Sequence, residues 1–208
     1  MNAMKDKIIQ AKDREQQRIN LITKTTDLAM KITLEYVEIG DTVIDATAGN
    51  GHDTLILAEA VGNSGKVIAF DIQKKALENT EKLLQEKGLL YRAKLVNDSH
   101  EKLMDYVQEE DRPSAIIFNL GYLPTGDKSI TTKGNSSVSA ISMASKLIKL
   151  GGIITLVLYS GHEEGSREKK MILGMLGQLS PTEYHVAYTS MINQANNPPE
   201  IIWITRKK

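Results

Sequence analysis

The 208-residue chain contains no cysteine. That absence removes disulfides, thiolate metal sites and cysteine nucleophiles together. There is no excess of either charge, since 26 Lys and Arg balance 26 Asp and Glu. A phosphate-rich partner therefore has to be met by a local basic patch and not by the field of the whole molecule. No run approaches the ~18–20 apolar residues that span a bilayer. Met1-Asn2-Ala3-Met4-Lys5-Asp6-Lys7 has no apolar signal core either. A cytoplasmic protein without a membrane partner is expected. The four histidines, His52, His100, His162 and His185, lie on different elements and lack metal-ligand spacing, so no metal site is expected. What is present is an ordinary globular composition, 41% apolar and 25% charged, in a length suited to one domain with a sizeable core.

The most informative stretch is Asp45-Ala46-Thr47-Ala48-Gly49-Asn50-Gly51-His52-Asp53-Thr54. It follows the apolar Thr42-Val43-Ile44 and precedes Leu55-Ile56-Leu57-Ala58, the pattern of a strand, a glycine-rich turn and a helix start. Glycines there let the backbone pass close to a ligand where a Cβ would clash. A second strand, Lys66 to Phe70, ends on Asp71, 20 residues after Gly51, where a carboxylate is placed to accept the hydroxyls of an adenosine ribose.

Charge decides which nucleotide-like cofactor this is. A dinucleotide brings an anionic pyrophosphate to the helix N-terminus, and its G-x-G-x-x-G fingerprint has a third glycine where this chain has Thr54. Asp45 and Asp53 flank the turn and would repel a pyrophosphate by roughly 4 kcal/mol per charge pair near 4 Å at intermediate dielectric. A P-loop is excluded because no G-K-[ST] follows. S-adenosyl-L-methionine has no phosphate, and its ammonium and sulfonium suit a carboxylate-bearing loop. The missing cysteine then narrows the chemistry, since methyl transfer to pyrimidine C5 usually needs a cysteine adduct.

Along the chain, residues 4–38 read as helical, with 1–24 an N-terminal extension to a domain spanning 25–208. Helices are expected at 73–87, from 99 to about 108, at 137–149 and at 163–178. Strands are expected at 91–96, 114–118, 153–159, 183–190 and 201–205. Strands alternating with helices, then two late strands with no helix between, predict an α/β fold. It is Rossmann-like, with a seven-stranded mostly parallel sheet, one antiparallel strand and helices on both faces. Ligands in such sheets bind beyond the carboxyl ends of the strands, where loops 45–54, 71–73, 97–100, 119–128 and 160–165 fall. Cofactor contacts are expected from Asp45, Thr47, Gly49, Asn50, Gly51, His52, Asp53 and Thr54, from Asp71, Ile72 and Gln73, from Asp98 and Ser99, and from Asn119.

Asp98 can accept from the adenine amino group or cap the following helix, with Ser99 taking the other role. Asn119-Leu120-Gly121-Tyr122 is akin to the [DNS]-P-P-[YFW] signature of amine methylation. An Asn oxygen and a backbone carbonyl orient the amine lone pair, and an aromatic face stacks on a base. Asn119 and Tyr122 are thus catalytic candidates, set against a plain strand-to-turn junction. His162 in Ser160-Gly161-His162 either takes a proton or contacts substrate, or is a hydrogen-bonded structural residue. Candidate basic patches are Lys5, Lys7, Lys12, Arg14 and Arg18, the Lys146/Lys149 pair, and Arg206-Lys207-Lys208.

The stretch at 45–54, Asn-Leu-Gly-Tyr-Leu-Pro at 119–124 with Gly126-Asp127-Lys128, Ser-Gly-His at 160–162 and Asn-Gln-Ala-Asn-Asn-Pro-Pro at 193–199 together carry a resemblance over about residues 25–206. The chain resembles the bacterial class I methyltransferase family labelled as rRNA methylases. Its members have been assigned to tRNA, methylating 5-aminomethyl-2-thiouridine at the wobble position to 5-methylaminomethyl-2-thiouridine. The resemblance implies substrate contacts at Tyr122, Asp127, Lys128, His162 and Asn197, and a proton acceptor in His162 or Asp127. It also implies tRNA, at its anticodon region, as the partner. Rival readings are rRNA as substrate, a small-molecule amine, a non-catalytic S-adenosylmethionine-binding module, and a nucleotide-binding oxidoreductase. The sequence leaves monomer or homodimer open.

Overall fold

The computed structural model describes residues 24–108, 111–121, 134–195 and 197–208. The N-terminal extension up to residue 23, Tyr122, Asp127 and Lys128 lie outside the described residues. In chain order the elements are α1 (Thr25–Leu34), β1 (Thr42–Asp45), α2 (His52–Ala60), β2 (Lys66–Phe70), α3 (Lys74–Glu86) and β3 (Ala93–Val96). They continue with β4 (Ala115–Leu120), α4 (Gly134–Leu147), β5 (Ile153–Leu158), α5 (Glu163–Leu176), β6 (Tyr184–Thr189) and β7 (Glu200–Arg206). Single 3-10 turns occupy Leu90–Arg92 and His100–Asp105.

The strands form one seven-stranded sheet in the order β3-β2-β1-β4-β5-β7-β6. Pairing is parallel from β3 through β5, and β7 runs antiparallel to both β5 and β6. The expected fold class is the observed one. All six residues of β5 are buried, as a strand covered on both faces requires.

Alternation along the strands splits the core in two. Ile44, Ile68, Ile116, Phe118, Ile154 and Leu156 face one way and meet Ala140, Ile141 and Ala144 of α4 and Ile172 of α5. Val43, Val67, Ala115, Ile117 and Ile153 face the other way, onto Met30, Leu57, Ala58 and Leu84 of α1, α2 and α3. Thr33 of α1 is held at this second face by a 2.6 Å hydroxyl–hydroxyl bond to Thr155 of β5.

Several boundaries differ from expectation. The helix expected to reach residue 38 stops at Leu34, and the strand expected at 114–118 runs from Ala115 to Leu120. The strand expected from residue 91 starts at Ala93, because the preceding residues wind into a 3-10 turn in which Arg92 Nη1 donates to the Ala58 carbonyl at 2.8 Å. The helix expected from 99 is a 3-10 turn whose cap is Ser99, its hydroxyl accepting from Glu101 N–H. Helix α4 already includes Gly134, ahead of the expected 137. A Cβ at Gly134 would lie 2.7 Å from Met171 Sδ, so close packing on α5 winds a start that reads locally as loop.

Candidate active site

Steps of two along each strand keep one face. From Val43, Val67, Ile117 and Val157 on the α1–α3 side, such steps lead to Asp45, Asp71, Asn119 and Tyr159. The register places Asp45 beside Ala69 and Ile117, and Asn119 beside Val157. Asp71 and Asn119 therefore continue one row beyond Asp45 and Tyr159 two rows, on the face over which α2 starts. Asp71 N–H still donates to Val96 O and Tyr159 N–H to Leu120 O, so both sit at the last rung of the ladder.

Asp45 is fully buried. Its Oδ1 accepts from Thr47 N–H at 3.1 Å and its Oδ2 from the Thr54 hydroxyl at 2.6 Å. The turn beyond it is tied to the sheet by Ala46 N–H on Ile117 O and Ala48 N–H on Phe70 O. Gly49 N–H donates to Asp71 Oδ2 at 2.9 Å, and Asp71 Oδ1 accepts from Gln73 N–H at 2.8 Å. Thr80 of α3, which carried no sequence signal, donates its hydroxyl to Gly49 O.

Gly49 and Gly51 both have positive φ, 55° and 83°, which favours glycine. The reason for Gly51 is not ligand approach alone. A Cβ there would stand 2.8 Å from Thr80 Cα, so the glycine also lets α2 start hard against α3. Asn50 Oδ1 accepts from Asn79 Nδ2, His52 is exposed at the start of α2, and the Ile72 side chain is exposed beside Asp71.

Asn119 is held at both ends. Its N–H donates to Thr47 Oγ1 and its Nδ2 to Asp53 Oδ2, each at 2.7 Å. With the amide nitrogen committed, Oδ1 is left as the acceptor end. Tyr159 was missed as a site residue. Its side chain packs where a Cβ on Gly121 would lie 3.0 Å away, and burial together with the nearby Asp53 charge raises its phenol. The period of two from Val157 puts it on the site face.

Burial, then the charge of Asp53 and farther off that of Asp71, pushes the Asp45 carboxyl up to about 7. Burial also raises Asp53, against the Asn119 hydrogen bond. At the next strand, Asp98 accepts from Ser99 N–H, Lys102 Nζ and the Tyr106 hydroxyl. These bonds, led by Lys102, hold its carboxyl below the usual range. Of the two open roles, the cap falls to Ser99.

His162 is the N-cap of α5, its Nδ1 accepting from Gly165 N–H at 3.0 Å. A neutral ring used this way carries its proton on Nε2, so the expected role of proton acceptor does not suit it. Asn197 has φ 46° and stands 3.9 Å from a Cβ position on Gly161, so the two late motifs do meet. Glu200 of β7, also unforeseen, accepts from Ser160 Oγ at 3.0 Å and pairs with Lys169 at 2.6 Å, pinning the Ser160 loop.

The basic candidates at Lys146, Lys149 and the C-terminus lie at the opposite sheet edge. Gly151 N–H donates to Arg206 O there, where β5 begins, about 20 Å from the site for a six-residue strand. Arg206 Nη1 caps the carbonyls of Lys146 and Ile148, and Lys149 pairs with Asp41 at 2.8 Å. These groups finish the end of α4 and are not placed to meet a partner at the site.

Residues 67–205 match the family model described as "Putative rRNA methylase". The chain belongs to that family. It is 38% identical to a chloroplastic tRNA (mnm(5)s(2)U34)-methyltransferase of Arabidopsis thaliana, over 88% of this chain and 70% of that one. Among solved structures it resembles an rRNA methylase of Clostridium thermocellum, with TM-score 0.85 and 41% identity over 88% of this chain and 97% of that one. A methyltransferase of Streptococcus mutans in complex with SAH gives TM-score 0.79 and 30% identity, over 87% and 97% of the two chains. The protein is thus an S-adenosylmethionine-dependent methyltransferase of class I fold. Three carboxylates, Asp45, Asp53 and Asp71, surround the turn after β1, a donor set that suits a cationic sulfonium and not a pyrophosphate. Among the described residues no helix is long and apolar enough to cross a membrane.

Proposed function

We propose that this methyltransferase acts on tRNA. It N-methylates the aminomethyl group of 5-aminomethyl-2-thiouridine at the wobble position to give 5-methylaminomethyl-2-thiouridine. The observation that carries the reading is Asn119 at the end of β4, whose amide is pinned through Nδ2 on Asp53 so that Oδ1 is presented as an acceptor. An amine that is to be alkylated needs such an acceptor to aim its lone pair. The Arabidopsis relative, a tRNA (mnm(5)s(2)U34)-methyltransferase by name, supports the same substrate.

In this reading S-adenosylmethionine supplies an electrophilic methyl group. Asp71 would hold its ribose, since each oxygen spends one lone pair on a backbone amide and keeps another. The exposed Ile72 would cover the adenine, with Asp98 beside it. Gly49 and Thr47 would line the methionine end, and Asp45 would lend its charge. Tyr159, His162 and Asn197 would face the substrate. Tyr122, Asp127 and Lys128 would complete that side. The anticodon region would be met locally by few cations, so binding should fall shallowly with salt, as about two to four phosphate contacts do. The family description favours rRNA as the second reading.

The test offers purified protein three RNAs, namely tRNA bearing the aminomethyl group, the same tRNA with unmodified uridine, and rRNA. Methyl incorporation only into the first is expected. Equal incorporation into both tRNA pools, or incorporation into rRNA alone, overturns the reading. Asn119→Ala should slow transfer at least about tenfold, roughly 1.4 kcal/mol, with near-normal cofactor affinity.

A further inference from the structure

Building on the aminomethyl substrate proposed above, we infer that Asp53 is the base of the site, its Oδ1 taking the proton that the substrate ammonium must lose before methylation. An alkyl ammonium has no lone pair, and by analogy with lysine it stays protonated to about pH 10. One proton therefore has to leave inside the site.

The described groups that could take it fall away one by one. His162 spends Nδ1 on the α5 amide. Asp45 is sealed from solvent with both oxygens occupied, and both Asp71 oxygens hold backbone amides, with their remaining lone pairs given to the ribose in the reading above. Tyr159 is a phenol that burial keeps protonated. Asp53 differs from all of these. It is half-buried in the first turn of α2, one oxygen is fixed by Asn119 at 2.7 Å, and Oδ1 has no hydrogen-bond donor among the described residues.

Its surroundings strengthen it as a base. Burial and the charge of Asp27 on α1 favour the protonated acid, opposed by the Asn119 bond and by His52 beside it, while Asp45 lies next to it at the end of β1 and Tyr159 faces it from just beyond β5. The same desolvation weakens an ammonium, so donor and acceptor are brought together in proton affinity. The bond from Asn119 gives Asp53 a second task, since it turns the acceptor end of that amide outward.

The step balances. R–CH2–NH3+ gives one proton to the Asp53 carboxylate and keeps its electron pair. The nitrogen then bonds to the methyl carbon as the C–S bond breaks with its pair on sulfur. The products are R–CH2–NH2+–CH3 and the neutral thioether, and Asp53 passes its proton to water.

Asp53→Asn tests this, because an amide oxygen can still accept from Asn119 but cannot take a proton. Single-turnover rates are measured with saturating cofactor from pH 6 to 10 on the aminomethyl tRNA. We expect the variant to be at least 100-fold slower at pH 7 and to regain about tenfold per pH unit up to the pKa of the free amine. Saturating cofactor, set from the calorimetric affinity of each protein, keeps any weakening of cofactor binding by the lost charge out of the measured rate. Asp53→Glu, which keeps a carboxylate, should retain the wild-type pH profile even at a reduced rate. Carboxyl 13C NMR should show two aspartates, Asp45 and Asp53, titrating above the normal range in the wild type, and only the Asp45 signal in Asp53→Asn. An unchanged pH profile in Asp53→Asn, or an altered one in Asp53→Glu, overturns the assignment. Failure of the wild type on the aminomethyl tRNA overturns the substrate reading itself, and the assignment with it.

Discussion

Replacing Asp45 with Asn is expected to stabilise the protein above pH 7 and to weaken its hold on the cofactor. Asp45 is fully buried, and burial together with the neighbouring Asp53 and Asp71 charges pushes its carboxyl up to about 7. In the unfolded chain the group ionises near 3.9. Between these values the folded state holds a proton that the unfolded state has released. Stability from this group is therefore full below about pH 4 and lost as pH rises to about 7. Three units at 1.36 kcal/mol each put the loss on the order of 4 kcal/mol. Asn resembles the protonated acid: its Oδ1 accepts from Thr47 N–H and its Nδ2 donates to Thr54 Oγ1, at the cost of one extra buried N–H. That cost does not change with pH. The gap between variant and wild type should thus widen by about 2 to 3 kcal/mol from pH 5 to pH 8.

Urea unfolding of both proteins at pH 5, 6, 7 and 8 measures the gap directly. Burial lowers His100, which stabilises in the opposite sense as pH rises, but it is common to both proteins and cancels in the difference. Parallel stability curves would refute the reasoning. The cofactor should reverse the preference, because its cation favours ionised Asp45. Calorimetry at pH 8 should find the variant binding at least about tenfold more weakly, roughly 1.4 kcal/mol. Wild-type binding at pH 6 should release protons, seen as a heat that depends on the ionisation enthalpy of the buffer.

Three further outcomes are expected. Asp71→Ala should weaken cofactor binding by about 1.5–3 kcal/mol, the range for hydrogen bonds to a charged group, and unchanged calorimetric affinity would remove Asp71 from the site. Gly51→Ala should lower stability by more than about 2 kcal/mol, combining a left-handed backbone with overpacking. Because the close contact is with Thr80 Cα, trimming Thr80 to Ala should not restore it, and rescue in the double variant would show that the conflict lies with the side chain. Arg206→Ala should cost about 1 kcal/mol in urea unfolding through the lost caps on α4 and leave RNA affinity unchanged; a fall in RNA affinity would put the C-terminus at the interface after all.

Much of the site was legible because strand parity and loop position are local properties. The period of two fixes that Asp45, Asp71 and Asn119 share a face with Val43, Val67 and Ile117, and the charges in the first turn exclude a pyrophosphate before any coordinates are known. The βα alternation gave the sheet, and the helix-free pair β6 and β7 gave its antiparallel end. Tyr159 followed the same parity and was overlooked only because it was read as part of its strand. Tertiary structure alone decided which polar atoms meet. Asp53 and Asn119 are 66 positions apart, and Glu200 reaches Ser160 across 40. No sequence spacing encodes such pairs, since they depend on strand order and helix docking. Docking also turned Gly51 into a packing requirement, drew α4 back over Gly134, and committed Nδ1 of His162 to the α5 cap. It carried Arg206 to the edge opposite the site, because β7 runs antiparallel and ends where β5 begins. Hydrophobic pattern and turn chemistry act through neighbours in the chain, whereas hydrogen-bond partnership is settled only when the two faces of the sheet are covered.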